Sequence, residues 1–164
     1  YKKNYTRPTK SLRSTQNYYN ETKSFTAIDI KEFSFLYILL KKPELIKENL
    51  NLIENVKLFG YENKLLFDEI IKQTNNFQNF DIESLKIDQN LIDRVLKYAS
   101  IKHILAKNLN DDQKILEILS ELIRDLKNYE LELRITDLES RFSKDLSEAT
   151  FNELKELKKL QKIN

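Results

Sequence analysis

Between Asp111 and Phe142 the chain contains neither glycine nor proline, and this uninterrupted stretch most restricts how the chain can fold. Its apolar residues form two series with the spacing of three or four residues that one face of an α-helix requires. The members of the first series are Ile115, Leu119, Leu122, Leu126, Tyr129 and Leu133. The members of the second series are Leu131, Ile135, Leu138 and Phe142. The sequence therefore predicts one long helix with apolar residues on two faces.

The two series lie on different sides of this predicted helix. Leu131 and Leu133 are two residues apart, so at about 100° per residue their side chains differ in direction by about 200°. A helix of residues 112–142 is also about 45 Å long, which exceeds the diameter of the small body that residues 29–107 can build. We therefore expect its first half to pack on that body and its second half to project.

The residues after Phe142 predict a return helix. A short polar turn ends at Ser147, which can cap a helix, and Glu148 suits a first turn because it complements the helix dipole. The apolar residues of this helix are Phe151, Leu154, Leu157 and Leu160, and its lysines, expected on the opposite side, are Lys155, Lys158, Lys159 and Lys162. Leu157 and Leu160 lie close to the end of the sequence, so few further residues remain that could bury them. A two-helix hairpin with so few apolar residues has little stability alone, so it either docks on another protein or folds back onto its own body.

Composition restricts both the fold and the chemistry. The 164 residues include one glycine, two prolines, one histidine and no cysteine. So few turn residues disfavour an open β-sheet, whereas the abundance of Leu, Ile, Lys and Glu favours helices. A Cys/His zinc site, a thiol nucleophile and a phosphate-binding glycine loop all lack the residues that they require. We therefore expect an all-α, non-catalytic domain that binds no cofactor.

Residues 29–110 predict a small helical bundle. Asp29 is the expected N-cap of a helix that stops before Pro43. Pro43 then starts a short helix, and Asp88 caps a longer one. Gly60 marks the turn before a further helix. Residues 111–164 would then form the long helix and the C-terminal hairpin.

Residues 1–28 differ from the rest of the chain in charge. They carry six basic residues and one acidic residue, a net charge of +5, whereas the remainder carries 22 basic and 25 acidic residues, a net charge of −3. This composition is typical of a leader or linker, although its tyrosines also allow weak contact with single-stranded nucleic acid. The sequence has no apolar run that suits a membrane span or a secretory signal, so we expect a cytoplasmic protein without membrane contact. The lack of methionine, even at position 1, is expected of a piece of a longer protein.

The order of these features resembles the C-terminal helicase-binding domain of bacterial DNA primase, the DnaG family. The resemblance covers residues 29–164. It rests on the apolar helix of residues 33–40, the Lys-Pro-Glu-Leu step of residues 42–45, the Leu-Leu-Phe-Asp-Glu-Ile-Ile segment of residues 65–71, the long helix that follows and the terminal helix of residues 153–161. The zinc ribbon and the glycine-bearing metal-binding fold with which that family makes primers are missing from this sequence.

The resemblance implies a helical-bundle subdomain followed by a hairpin that anchors the primase on the N-terminal domain of the replicative helicase. The bundle itself would look like that helicase domain, and residues 1–28 would be the connection from the polymerase domain. The residues that the resemblance assigns to partner binding are Leu131, Ile135, Leu138, Phe142, Phe151, Leu154, Leu157 and Leu160.

Two other interpretations keep the same fold class. One is a module like the N-terminal domain of the replicative helicase, although the sequence has no P-loop of the motor that follows in such helicases. The other is a helical nucleic-acid-binding protein that uses residues 1–28, with affinity that falls steeply as salt rises.

Overall fold

The computed structural model describes residues 13–75 and 80–163, and within these ranges the chain is all-helical, which confirms the predicted fold class. The α-helices are α1 (Arg13–Thr22), α2 (Ala27–Lys41), α3 (Pro43–Glu48), α4 (Leu50–Ile53), α5 (Tyr61–Asn75), α6 (Gln89–Tyr98), α7 (Lys102–Lys107), α8 (Asp112–Phe142) and α9 (Glu148–Ile163). One turn of 3-10 helix, Ile82–Ser84, lies between α5 and α6.

Helix α2 lies at the centre of the bundle and contacts α3, α5, α6, α7 and α8. It is apolar on nearly every side, and Phe35, Ile38 and Leu39 are fully buried. A helix of this kind is stable only where other elements cover its whole circumference. Ile115 and Leu119 of α8 belong to the same apolar cluster, which we call the bundle core.

Helix α2 begins two residues before the predicted cap, because Thr26 rather than Asp29 is the N-cap. The Thr26 hydroxyl accepts a hydrogen bond from the Asp29 N–H at 3.3 Å, and the Asp29 carboxylate accepts one from the Thr26 N–H at 2.7 Å. In such a reciprocal capping box the carboxylate lies one turn inside the helix, so an acidic residue near a helix start does not by itself identify the cap. The predicted starts at Pro43, Asp88 and Asp111 are confirmed.

A fully buried carboxylate, Glu32 of α2, holds the start of α5. Its oxygens accept hydrogen bonds from the N–H groups of Phe59 and Gly60 and, at 2.6 Å, from Asn63 Nδ2. A buried charge is tolerated only when such donors satisfy it, and a helix N-terminus also favours negative charge. A Cβ at Gly60 would lie 2.9 Å from both Glu32 Oε2 and Asn63 Nδ2. The chain's one glycine therefore permits this close approach in addition to the turn that the sequence predicts.

Helix α1 lies within the residues that the composition predicts to be a leader. Glu21 of α1 accepts hydrogen bonds from Lys97 Nζ at 2.6 Å and from the Tyr98 hydroxyl, both on α6. The Phe25 ring packs edge-on against Tyr98, with the ring centroids 5.2 Å apart. The chain thus contacts the bundle before residue 29, through one acidic and one aromatic side chain that composition does not single out.

Residues 1–12 and 76–79 lie outside the described residues. The former include Tyr1 and Tyr5, which the sequence offers for stacking on nucleic acid, so that contact stays a prediction. In the described ranges no helix combines the length and the apolar character that crossing a membrane requires.

Candidate partner-binding hairpin

Helix α8 runs without interruption from Asp112 to Phe142, as predicted, and takes part in two separate apolar clusters. Its first half contributes to the bundle core as far as Leu126. Its second half contributes to another cluster, the hairpin core. The hairpin core consists of Ile135, Leu138, Leu154 and Leu157, with Leu131 partly buried against them. Leu126 and Ile135 are nine residues apart, so their directions differ by about half a turn, and the predicted change of face is confirmed.

The apolar series that faces the bundle ends at Tyr129. The Tyr129 ring contacts Phe59 edge-on with the centroids 4.9 Å apart, and Lys57 Nζ lies 3.0 Å from the Glu130 carboxylate. Leu133, the predicted last member of the series, is 45% exposed instead. That part of the prediction was wrong because α8 leaves the bundle one turn earlier.

Helix α9 returns along the distal half of α8, as the predicted hairpin requires. It begins at Glu148, directly after the predicted capping position Ser147. Ion pairs join the two helices on either side of the hairpin core, between Arg134 and Glu153 and between Lys158 and Glu139, each at 2.6 Å. Exposed pairs of this kind contribute about 0–1 kcal/mol each. Apolar packing therefore provides most of the attraction between α8 and α9.

The structure divides the eight residues that the resemblance assigns to partner binding. Four of them are buried in the hairpin core and hold its two helices together: Ile135, Leu138, Leu154 and Leu157. The other four keep exposed or half-exposed surface: Leu131, Phe142, Phe151 and Leu160. The expectation that little remains to bury Leu157 was wrong because α8 covers it, whereas Leu160, one turn later, is 52% exposed. The role of all eight in binding a partner remains a prediction.

The tip of the hairpin is apolar. The Phe142 and Phe151 rings pack against each other with their centroids 5.8 Å apart, and Phe151 remains 48% exposed. Leu146, in the turn between α8 and α9, is 81% exposed. Leu146 is not among the predicted partner-binding residues, although an apolar residue within an otherwise polar turn was an available signal.

Two grooves run beside α9. The first, which we call the α9 groove, has a volume of about 390 Å³ and is lined by Phe151, Leu154, Lys155, Lys158 and Lys159. The second lies between α8 and the end of α9, has a volume of about 350 Å³ and is lined by Lys127, Glu130, Leu131, Arg134, Leu157 and Leu160. Each combines apolar side chains with charged ones at the rim, an arrangement found where one protein binds a segment of another.

The hairpin also carries fixed charges beside its apolar surface. A hydrogen bond from Lys159 Nζ, 2.6 Å long, lowers the pKa of the Glu156 carboxyl group, which therefore stays ionised near neutral pH. Across the described ranges, no three His, Cys, Asp or Glu side chains are grouped as a metal site would require. The one histidine, His103, lies exposed on α7.

Comparisons of the chain with protein-family models, with curated proteins and with solved structures found no match. The geometry of the hairpin and the pattern of the sequence are therefore the basis for inferring a function.

Proposed function

We propose that this chain is the helicase-binding domain of a bacterial DNA primase and that its hairpin anchors the primase to the replicative helicase. The observation that carries the proposal is the hairpin core, an apolar cluster separate from the bundle core. This arrangement leaves Leu146, Phe151 and Leu160 exposed on the projecting element. Exposed apolar surface on a projecting helical element suits docking on the helices or in the groove of a partner.

The proposed mechanism is tethering without catalysis by this domain. A hairpin bound to the helicase raises the local concentration of the primer-synthesising polymerase at the replication fork. The bundle, which the resemblance compares with the N-terminal domain of the helicase, would be held beside that domain. Preferential contact with one arrangement of the helicase ring would then shift the ring towards that arrangement.

Calorimetry of the full chain against the N-terminal domain of the replicative helicase from the same organism tests the proposal. We expect binding that is lost when residues 144–164 are removed. The truncated chain should keep the circular dichroism of a helical bundle, because none of the α9 side chains that the structure describes belongs to the bundle core. Undiminished affinity of the truncated chain would refute docking through the hairpin.

A matched pair of point variants locates the contact more finely. Phe151→Ser removes a side chain that is 48% exposed on the hairpin, and Leu65→Ser removes one that is 43% exposed on α5 of the bundle. We expect about tenfold weaker binding for the first, the size of effect typical of an apolar anchor in an interface, and unchanged binding for the second. Equal losses would mean that the docking surface is not confined to the hairpin.

A further inference from the structure

We infer that the α9 groove binds an amphipathic helix of the partner whose apolar stripe is flanked by Asp or Glu side chains. This inference rests on the proposed function, because it specifies the chemistry of the segment that the hairpin would hold. It follows from the apolar side chains at the floor of the groove, from the positive charge of the lysines at its rim, and from the poor fit of other molecules that could occupy it.

The floor of the α9 groove is formed by Phe151 and Leu154. At about 100° per residue, Phe151 points between Lys155 and Lys158 rather than away from them. The expectation that the lysines lie opposite the apolar series is therefore wrong for Phe151. An exposed aromatic ring with lysines on both sides provides an apolar contact with a positive rim.

The rim of the groove is available to a negatively charged partner. Lys155 forms no ion pair with any described residue, while Lys158 and Lys159 pair with Glu139 and Glu156 at the surface. Such exposed pairs are weak and can exchange for others at small cost. Residues 155–162 contain four lysines and one glutamate, so this part of α9 carries a net charge of +3.

Two occupants from this chain itself do not match the groove. A second copy that presented the same groove would bring two lysine rims together. Residues 1–12 contain four basic residues and no acidic residue, so they too would be repelled. Like charges placed opposite each other weaken an association, whereas Asp and Glu beside an apolar stripe would complement this rim.

A protein segment also fits better than single-stranded nucleic acid. Residues 131–163 contain seven acidic and seven basic residues, so the hairpin as a whole has no net positive charge with which to follow a phosphate backbone. The α9 groove offers one aromatic ring, Phe151, whereas single-stranded nucleic acid is typically bound by several aromatic rings on which successive bases stack.

The first test titrates the helicase N-terminal domain into the full chain carrying Lys155→Glu, with Lys64→Glu on α5 as the matched control. Both lysines are exposed, and neither reversal breaks an ion pair between described residues. We expect about tenfold weaker binding for Lys155→Glu at low salt, a difference that shrinks as salt rises, and no change for the control. Equal affinities of the two variants would overturn the inference while leaving docking by the hairpin intact.

The second test uses synthetic peptides and does not depend on the helicase. One peptide is an amphipathic helix with a leucine stripe flanked by glutamates, and the other has lysines in place of the glutamates. In amide NMR spectra of the full chain we expect shifts confined to residues 151–159 with the first peptide only, and none in the Lys155→Glu variant. Equal binding of the two peptides, or shifts elsewhere, would overturn the inference. So would shifts at these amides with oligothymidylate in place of the acidic peptide. Selective binding of the acidic peptide without binding of the helicase would support the inferred specificity of the α9 groove. It would count against the proposed function and not against this inference.

Discussion

Replacing Leu138 with alanine tests whether the hairpin core folds separately from the bundle core. Leu138 of α8 is one of the four buried members that the hairpin core has among the described residues. A buried Leu→Ala change costs about 2–5 kcal/mol, less where the site is small and can collapse. Because the hairpin core is thin and bordered by solvent, we expect a loss of about 2–3 kcal/mol.

That loss should fall on the hairpin alone. Removing one of these four buried side chains takes away a large part of the packing between α8 and α9, whereas Leu126 is the last of the described residues in the bundle core. We therefore expect α9 to detach while the bundle stays folded, which is local rather than global unfolding.

Hydrogen–deuterium exchange measured by mass spectrometry checks this expectation. In Leu138→Ala, peptides from residues 148–163 should lose protection, whereas peptides from α2 and α6 should keep it and the main thermal transition should not move. Leu119→Ala, a change of the same type on the same helix, is the control because Leu119 is fully buried in the bundle core. It should lower the main transition and cost about 3–5 kcal/mol.

If Leu138→Ala lowered the main transition as much as Leu119→Ala does, the two cores would behave as one cooperative unit. Persistent protection of α9 in Leu138→Ala would contradict the expected detachment of α9. It would mean that packing at this position does not hold the hairpin together.

Three further perturbations act on the bundle. Gly60→Ala should lower the free energy of unfolding by about 1–3 kcal/mol, because the new Cβ would lie 2.9 Å from Glu32 Oε2 and Asn63 Nδ2; an unchanged urea midpoint would contradict this tight fit. Glu32→Gln should cost about 2–4 kcal/mol in the same urea titration, since an amide NH₂ would replace an oxygen that faces N–H donors; parental stability would show that the carboxylate is dispensable. The hydrogen bond from Lys97 lowers the pKa of Glu21 below its ordinary value of about 4.5, so the stability that Glu21 provides is present above that value and is lost as the pH falls through the lowered pKa. An NMR titration of α6 amides should therefore show the α1–α6 contact releasing in that acidic range, and the same release in Glu21→Gln would exclude Glu21 as its cause.

The long helix and its change of face were predictable because both depend on periodicity within one segment. The starts at Pro43, Asp88 and Asp111 were predictable for the same reason, since a cap acts on the next turn. Helix α7 was not predicted, because its six residues are preceded by Ile101, whose side chain makes no capping hydrogen bond. The Glu32–Gly60 contact was not predicted either, because it joins residues 28 positions apart in the sequence.

In the candidate site, too, contacts between different elements were not predictable from the pattern within one segment. Periodicity identified the apolar residues of α9 but did not separate those that pack within the hairpin from those left exposed. Leu157 and Leu160 are one turn apart, yet the first is buried and the second is half exposed. Helix α8 runs alongside Leu160 as well, since both line the second groove, so the length of α8 is not the cause. Each step of three residues from Leu154 turns the side chain by about 60° around α9, so Leu160 lies about 120° from the buried Leu154. Which of these directions faces α8 is set by the packing of the two helices and not by the pattern within α9.

Because α8 is continuous between the two cores, the number of residues between Leu126 and Leu131 sets the direction in which the hairpin points. One inserted residue would turn the hairpin by about 100° around the axis of α8 and advance it by about 1.5 Å. Seven inserted residues would return it to within about 20° of its original direction and carry it about 10 Å farther from the bundle. A single-residue insertion or deletion here would thus leave both cores intact and still re-aim everything that the hairpin holds. Length changes in steps of seven would alter its reach alone.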